Sequence, residues 1–298
     1  MRQITLNEIL DCLGSQVLTV DGCVGEIIID NLADTAHVND TTLDWVNQMK
    51  SNKQEIAECS KAKVLLVDES ISPIVGKVLI KVKNPKVALA MIGNNFFVQH
   101  PKPGIHPTAI VDANAEIGDN VSIGPYSVIG KVTIGNGCEI DSNVRIYDNV
   151  IMGKHCRVKA GAVLGGEGFG FERDDEGNRF RFPQIGGLRI GDYVEIGANT
   201  SIDRGALSDT IIEDYVKISN LCQIAHNVRI GKNVIITACV EISGSCKIGT
   251  NTWVGPNACI RDQRNVGSNT LIGMGSVVVK NIGDNEIWAG NPAKLMRE

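Results

Sequence analysis

The stretch IEDYVKISNLCQIAHNVRIGKNVIITACVEISGSCKIGTNTWVGPNACIRDQRNVGSNTLIGMGSVV, residues Ile212–Val278, places an aliphatic side chain at every sixth position. An amphipathic helix repeats its apolar positions about every 3.6 residues and a half-buried strand every second residue, so neither explains this period. A fixed short period indicates a repeat fold, and a six-residue period is typical of a parallel β-helix. The series is Ile212, Ile218, Ile224, Ile230, Ile236, Ile242, Ile248, Val254, Ile260, Val266, Ile272 and Val278.

The same frame extends upstream, from Ile117 to Ile129, resets after a one-residue deletion at Ile134, and resumes at Ile190 after an interruption. A small or β-branched residue follows each aliphatic residue by four positions, and glycine often follows it directly. We interpret each hexad as one short strand and one corner, with the aliphatic side chain inside. Three hexads make one triangular coil, so residues eighteen apart lie above one another at the strand spacing of about 4.8 Å.

The 298 residues are enough for two domains, and the net charge of −5 gives no indication of a nucleic-acid surface. No apolar run is long enough to cross a bilayer, and the N-terminus does not resemble a signal peptide, so we expect a cytoplasmic protein. Residues 1–100 are non-repetitive and predict a small α/β domain, residues 101–282 the β-helix, and residues 283–298 a short C-terminal cap. Within the first domain the predicted strands are Val24–Ile29, Val64–Val67 and Val78–Val82, and the predicted helices are Leu6–Leu13 and Val87–Phe97.

The nine cysteines include no CxxC pair. Cys138, Cys156, Cys222 and Cys246 occupy the small-residue position of the hexad, which predicts buried, reduced thiols. A metal-dependent hexapeptide enzyme needs three histidines around each ion, and the repeat after its first coil holds only His155 and His226. We therefore expect no catalytic metal.

Function is expected where the repeat is interrupted, because a regular β-helix has few pockets. The longest interruption, Gly165–Gly187, has two aromatic runs around a DDEGN turn and predicts a β-hairpin arm. Its four phenylalanines suggest that the arm covers a ligand or a neighbouring subunit. A shorter polar interruption spans Asp203–Thr210.

His226 follows the inward Ile224 by two positions, so it is expected on an outward-facing corner. An isolated outward histidine is most often an ordinary surface residue. Gly244 stands eighteen residues later, however, and should lie one coil above the imidazole. A histidine beside an exposed backbone N–H is the minimal set of groups for acyl transfer, since the first takes a proton and the second stabilises an oxyanion.

The runs GEGFGF, FPQIGG, IGDYVEIGANTSIDRGAL and QIAHNVRIG resemble those of the UDP-3-O-(3-hydroxyacyl)glucosamine N-acyltransferases of lipid A synthesis, and the resemblance covers nearly the whole chain. It implies a left-handed β-helix, a homotrimer with active sites between subunits, and N-acylation of a nucleotide-linked amino sugar. It implies that His226 is the general base and that the Gly244 amide is the oxyanion donor. It places in the substrate site the residues Phe169, Phe171, Gln184, Asp203, Arg204, Asn220 and Asn227, and it makes Trp45 and Asn47 candidates for nucleotide binding, although Trp45 could equally be ordinary core.

Three features depart from the family pattern. The family acid before QIAHNV is replaced by Ser219, and a later family histidine is replaced by Gln263, beside an Arg264 that breaks the small-residue position. The tail SVVVKNIGDNEIWAGNPAKLMRE resembles that of coenzyme A-dependent sugar acetyltransferases, in which basic residues such as Lys294 and Arg297 lie near the cofactor phosphates. These two residues could equally belong to a solvated tail.

The sequence therefore predicts an N-acyltransferase that uses an acyl-CoA or acyl carrier protein thioester to acylate a nucleotide-linked amino sugar. The product would serve surface polysaccharide synthesis in the first case and lipid A synthesis in the second, and the tail favours acyl-CoA. Two alternatives are a non-catalytic hexapeptide-repeat scaffold that binds sugar nucleotides and a sugar O-acyltransferase.

Overall fold

A computed structural model describes residues 2–22 and 27–297 of the chain. The chain divides into two compact units, Met1–His100 and Pro101–Glu298. No helix in the described parts of the chain combines the length and the apolar character that a membrane span requires.

The first unit contains a four-stranded mixed sheet with three helices. The bounds are β1 Ile4–Thr5, α1 Leu6–Leu13, β2 Val17–Asp21, β3 Ile28–Ile29, β4 Leu43–Trp45, α2 Lys53–Cys59, β5 Val64–Val67, β6 Val78–Val82 and α3 Pro85–Ile92, with a 3₁₀ turn at Gly14–Gln16 and a π-helix at Gly93–Phe97. The strand order in the sheet is β2-β6-β5-β4, in which β4, β5 and β6 run parallel and β2 pairs antiparallel with β6. A separate two-stranded antiparallel sheet pairs β1 with β3.

Local capping sets the helix bounds in this unit. Thr5 and Glu8 form a capping box that starts α1, which has the predicted bounds. The predicted helix Val87–Phe97 begins earlier, at Pro85, because Asn84 caps it and proline suits the first helical turn. Of the predicted strand Val24–Ile29, only Ile28–Ile29 is a strand, and residues 24–26 lie outside the described residues.

The second unit is a parallel β-helix with three faces, and the predicted fold class is confirmed. Face A has the strands Gly104–Ile105, Ser122–Ile123, Glu139–Ile140, Arg157–Val158, Glu195–Ile196, Lys217–Ile218, Ile235–Ile236, Trp253–Val254, Leu271–Ile272, Ile287–Ala289 and Lys294–Arg297. Face B has the strands Ile110–Val111, Val128–Ile129, Arg145–Ile146, Val163–Gly166, Ser201–Asp203, Gln223–Ile224, Glu241–Ile242, Cys259–Ile260 and Val277–Val278. Face C has the strands Glu116–Ile117, Thr133–Ile134, Val150–Met152, Leu188–Ile190, Thr210–Ile212, Arg229–Ile230, Lys247–Ile248 and Asn265–Val266.

The register is that of the hexad frame. Ile224 pairs with Ile242, which in turn pairs with Ile260, and these side chains are fully buried in one continuous column. The cysteines of the small-residue position, Cys138, Cys156, Cys222 and Cys246, are also buried, and the eight cysteines that the structure describes are free thiols. Each coil thus buries its apolar residues against the coils above and below it.

The corners have a recurring hydrogen-bond pattern. Several turn N–H groups donate to a side chain of the coil above, as Asp119 N–H does to Asn136 Oδ1 at 3.0 Å and Lys131 N–H to Asp148 Oδ1 at 2.9 Å. At many corners the residue after this N–H takes positive φ, for example 56° at Asn120 and 59° at Asn233. Asparagine tolerates this conformation better than most residues, because its short polar side chain can hydrogen-bond locally.

The C-terminal end differs from the prediction in its detail. Ile287–Ala289 adds one more parallel strand to face A, beside Leu271–Ile272, so the ladder continues into the segment predicted as the cap. Lys294–Arg297 then pairs antiparallel with Ile287–Ala289 and forms the edge of that face. The antiparallel turn gives the last parallel strand a partner that a further coil would otherwise supply.

Candidate active site

His226 lies at the corner between faces B and C, directly after the strand Gln223–Ile224. The inward Ile224 is fully buried, and the histidine itself is half-buried. The corner geometry therefore places the imidazole on the outside of the β-helix.

Asn227 determines which imidazole nitrogen carries the proton. Its Oδ1 accepts the Ala206 N–H at 3.0 Å, while its Nδ2 donates to the Ser208 carbonyl at 2.9 Å. These two backbone groups fix the orientation of the carboxamide, so the atom 3.0 Å from His226 Nδ1 is an acceptor. We therefore assign the proton of the neutral ring to Nδ1, which leaves the Nε2 lone pair available to act as a base.

Gly244 lies against the imidazole from the coil above. A Cβ added at Gly244 would fall 2.9 Å from both Cε1 and Nε2 of His226, so only glycine fits without displacing the ring. The Gly244 N–H donates to no acceptor within residues 2–22 and 27–297, whereas its carbonyl accepts from Gln263 N–H at 2.9 Å. The predicted stacking of these two residues is confirmed, and the amide hydrogen at this corner is free to bind a ligand.

The base of the hairpin insertion also touches His226. The insertion forms the strands Phe171–Arg173 and Arg179–Arg181, which pair antiparallel. A Cβ at the buried Gly168 would fall 2.9 Å from His226 Cβ and 3.0 Å from its Cδ2. Gly168 was not among the predicted site residues, although its GEGFG run lies in the interruption where function was expected.

Asp203 lies close enough to His226 for the two charges to interact. Its Oδ2 accepts a hydrogen bond from Gln223 Nε2 at 3.0 Å, one coil away. Burial raises the pKa of Asp203 to about 6, against the opposing effects of the Gln223 hydrogen bond and the His226 charge. A carboxylate that ionises near neutral pH thus stands beside the candidate base, which is an arrangement found at functional sites.

This geometry coincides with similarity to known acyltransferases. The family model for bacterial transferase hexapeptide (six repeats) matches residues 131–166 and 209–244. UDP-3-O-acylglucosamine N-acyltransferase of Coxiella burnetii (strain RSA 493 / Nine Mile phase I) is 36% identical over 255 residues, which cover 79% of this chain and 73% of the relative. UDP-3-O-acylglucosamine N-acyltransferase 1 of Francisella tularensis subsp. holarctica (strain LVS) is 38% identical over 264 residues, which cover 78% of this chain and 74% of the relative.

The chain belongs to the UDP-3-O-acylglucosamine N-acyltransferase family. Solved structures of a related enzyme share its fold. LpxA of Acinetobacter baumannii is 29% identical with a TM-score of 0.59, and UDP-N-acetylglucosamine O-acyltransferase of Moraxella catarrhalis is 28% identical with a TM-score of 0.58. Each comparison covers 64% of this chain and 73% of the solved chain. The protein is thus an acyltransferase.

Not every residue that the family resemblance suggested lies beside His226. Arg204 Nε donates to the Gly165 carbonyl at 2.7 Å and its Nη2 to the Asp148 carbonyl at 2.9 Å, so its guanidinium fastens the base of the arm. Asn220 lies at the corner between faces A and B, where its Oδ1 accepts the Ala198 N–H at 2.8 Å. Ser219 lies at that same corner, so within one protomer its replacement of the family acid does not alter the surroundings of His226.

The arm presents aromatic side chains to solvent. Phe169 is 87% exposed, and its ring meets Phe171 edge-on with 5.0 Å between centroids. The Arg181 guanidinium lies 4.8 Å from the centre of the Phe171 ring. The exposed Phe169 and the half-buried Phe171 remain a candidate surface for substrate, or for a second subunit of an acyltransferase of this family.

In the first unit, Trp45 ends β4 and packs half-buried against the core. Asn47 is exposed, and its Oδ1 accepts the Met49 N–H at 2.9 Å within a tight turn. Their role in nucleotide binding stays a prediction.

The remaining predicted positions lie in the last coils. Lys294 and Arg297 are exposed on the edge strand, where both ammonium and guanidinium can reach a ligand. Gln263 is exposed with φ of 59°, and the Arg264 guanidinium turns back to the Asp262 carbonyl at 3.0 Å. Arg264 therefore leaves the interior position and preserves the column of buried side chains.

Proposed function

We propose that this chain transfers an acyl group from a thioester to the amino group of a nucleotide-linked amino sugar, as the names of its relatives suggest. One observation carries the proposal: the His226 imidazole lies against Gly244 with Nδ1 engaged by Asn227 and Nε2 available. That arrangement supplies a base and an oxyanion donor side by side on an outward corner.

In the proposed reaction the sugar amine attacks the thioester carbonyl directly. His226 Nε2 takes a proton from the attacking nitrogen as the new C–N bond forms. The Gly244 N–H donates to the oxygen that becomes negative, an interaction worth about 3 kcal/mol in comparable sites. Collapse of the tetrahedral intermediate breaks the C–S bond, and the proton held by His226 leaves with the thiol. Asp203, when ionised, stabilises the imidazolium in the meantime.

The proposal favours an amine over a hydroxyl acceptor. The N-acyltransferase relatives are 36–38% identical over more than three quarters of this chain, whereas the O-acyltransferase structures are 28–29% identical over 64%. The base and oxyanion donor would serve either acceptor, so the sugar must be tested in both forms.

The remaining parts of the site follow from the same assignment. Phe169 and Phe171 of the arm would line the sugar site, and Trp45 and Asn47 are the candidates for nucleotide binding. We propose a homotrimer, as the family resemblance implies, in which a second subunit would supply a surface that encloses the substrate at the outward corner. The donor would be acyl-CoA held by Lys294 and Arg297, with acyl carrier protein as the other candidate.

Turnover by the purified chain tests this function. We expect N-acylation of a UDP-linked 2-amino sugar when acyl-CoA is the only donor, and a loss of about 10²- to 10⁴-fold in His226→Ala. His155→Ala is the matched control, because His155 is an outward histidine at another corner, stacked on Tyr193 with 5.0 Å between centroids.

Four outcomes would contradict parts of the proposal. Full activity of His226→Ala would refute the mechanism. Activity only with acyl carrier protein would refute the donor assignment, and activity only on the hydroxyl analogue would identify an O-acyltransferase. Binding of the sugar nucleotide without turnover on any donor would identify a scaffold.

A further inference from the structure

Gln184 is a buried polar side chain whose carboxamide is poorly satisfied. It lies just after the returning strand of the hairpin insertion and is 6% exposed. Its Nε2 makes one long hydrogen bond, 3.3 Å, to the Phe182 carbonyl, and its Oε1 has no hydrogen-bond partner among the described residues. An unsatisfied buried acceptor is costly, so the position of this carboxamide calls for a physical explanation.

Gln184 meets His226 at Gly168. A Cβ placed on Gly168 would fall 2.9 Å from Gln184 Oε1, 2.9 Å from His226 Cβ and 3.0 Å from His226 Cδ2. The glycine is therefore packed against the carboxamide and the imidazole at once, with no room for a methyl group. Neither the repeat nor the hairpin turn requires glycine here, since Gly168 is not among the residues with positive φ.

The same end of the arm is fastened to the residues that hold Asn227. Ile185 N–H donates to the Ala206 carbonyl at 2.7 Å, and Gly186 N–H donates to it at 2.8 Å. The Ala206 N–H in turn donates to Asn227 Oδ1, which faces the imidazole Nδ1. The base of the arm thus contacts the imidazole directly through Gly168 and supports it indirectly through Ala206 and Asn227.

Three contacts then enclose the imidazole. Asn227 engages the Nδ1 edge, Gly244 lies at Cε1 and Nε2, and Gly168 lies at Cβ and Cδ2. The third contact opposes a tilt of the ring away from Gly244.

We propose that Gly168 and Gln184 are positioning residues that hold the His226 imidazole against Gly244. Gln184 acts by filling space behind Gly168 rather than by binding substrate. The inference rests on the proposed role of His226 as base, and it gives the hairpin insertion a part in catalysis in addition to any contact with substrate.

Two variants test the proposal: one adds a methyl group at Gly168, and the other combines that change with a smaller side chain at position 184. Gly168→Ala should lower kcat by about 10- to 100-fold with little change in KM, because a displacement of the base by a fraction of an ångström is costly. Gly166→Ala is the matched control from the same insertion: the atoms nearest its Cβ would be Tyr147 Cε2 at 3.6 Å and Val163 Cγ1 at 3.9 Å, which are ordinary contact distances and belong to neither Gln184 nor His226. That control should keep its kcat.

Shortening the Gln184 side chain should remove part of the steric clash in Gly168→Ala. The double variant Gly168→Ala with Gln184→Ala should recover several-fold in kcat over Gly168→Ala alone, because removing the carboxamide makes room for the methyl group. Gln184→Met, which keeps the length and loses the polar atoms, should be near full activity, whereas Gln184→Ala alone should be slower.

Each result decides the matter. A normal kcat in Gly168→Ala, no recovery in the double variant, or a Gln184→Met as slow as Gln184→Ala would overturn the positioning role. If Gly168→Ala does not fold, the comparison of Gln184→Met with Gln184→Ala still decides it. Because the role of His226 is tested separately by His226→Ala, these results can fail while the proposed function stands.

Discussion

Alanine in place of Gly244 would put a methyl group where the His226 imidazole now lies. The added Cβ would be 2.9 Å from Cε1 and from Nε2, whereas comfortable contact between such atoms begins near 3.5 Å. The ring must therefore retreat by about 0.5–1 Å, or the corner must open by as much. The backbone N–H survives the substitution, so the change isolates the placement of the base from the presence of the donor.

Displacements of about 1 Å cost roughly 100-fold in rate, so we expect kcat of Gly244→Ala to fall about 10- to 100-fold. Overpacking should lower the free energy of unfolding by about 1–3 kcal/mol without preventing folding. Steady-state kinetics with both substrates, together with a thermal melt, measures the two effects.

Gly137→Ala is the matched control. Its Cβ would fall 2.6 Å from Nδ1 and 2.8 Å from Cε1 of His155, which stacks on it at the corner between faces C and A. Its φ of 69° adds strain for alanine, so the stability loss should equal or exceed that of Gly244→Ala, yet kcat should not change. Equal kcat values for the two variants and the native chain would refute the assignment of His226 and Gly244 as a working pair.

Three further predictions concern the surroundings of the base and the donor. Asn227→Ala should lower kcat by about tenfold or more, since the ring loses the acceptor that fixes its tautomer; Asn227→Asp, which keeps an acceptor, should retain more, as steady-state kinetics would show. The free energy of unfolding of Asp203→Asn should exceed that of the native chain by about 1–2 kcal/mol at pH 8 and should equal it at pH 4, as denaturant titration would measure. The combined Lys294→Ala and Arg297→Ala variant should raise KM for acyl-CoA about three- to tenfold and leave the KM for the sugar nucleotide unchanged, and no change in the former would exclude phosphate binding by this edge strand.

The sign for Asp203 follows from its folded-state pKa, which burial raises from 3.8 to about 6. The native state then holds the proton more tightly than the unfolded state, so stability falls as pH rises from about 4 to 6 and stays lower above that range. About two pKa units correspond to roughly 3 kcal/mol, which the partial exposure of the side chain reduces. Loss of stability in Asp203→Asn at pH 8 would contradict this account. The same substitution should slow turnover at pH 8, where the carboxylate of the native chain is ionised.

The β-helix could be predicted from the sequence because only a few residues determine the conformation of each coil. One inward aliphatic residue per strand sets the register, so Ile224, Ile242 and Ile260 determine their own partners. The same frame gives the pairing of His226 with Gly244, since no insertion separates them. A period of six thus specified both the fold and the central contact of the site.

Contacts that involve the insertions could not be found in this way. Gly168 and Gln184 belong to a segment that leaves the eighteen-residue frame, and Asp203 is 23 residues before His226 because the loop that follows it adds residues. Sequence separation does not translate into distance across such segments. The closely spaced glycines in GEGFG were the available signal, because repeated glycine in a segment without turn geometry indicates close packing.

The first unit was predicted less completely for a different reason. Strand β5 is a continuous apolar run, and β6 is apolar apart from Lys81; both were found with their bounds, whereas β4 is short and mixes polar with apolar residues. Such strands are stabilised mainly by their neighbours in the sheet, and those neighbours are not visible along the chain.

The free amide hydrogen at Gly244 has a consequence for how such a centre can be tuned. At several other turns the N–H group at the equivalent position donates to an Asp or Asn side chain of the coil above. Asp262 is the residue at that position above Gly244. Its carboxylate turns sideways instead, 3.5 Å from Arg261 Nε and 3.3 Å from Gln263 Nε2. If the Asp262 carboxylate moved toward Gly244, it would accept the Gly244 N–H and leave His226 unchanged. Substitutions at residues 261–263 are therefore expected to change the turnover rate without altering the reacting groups.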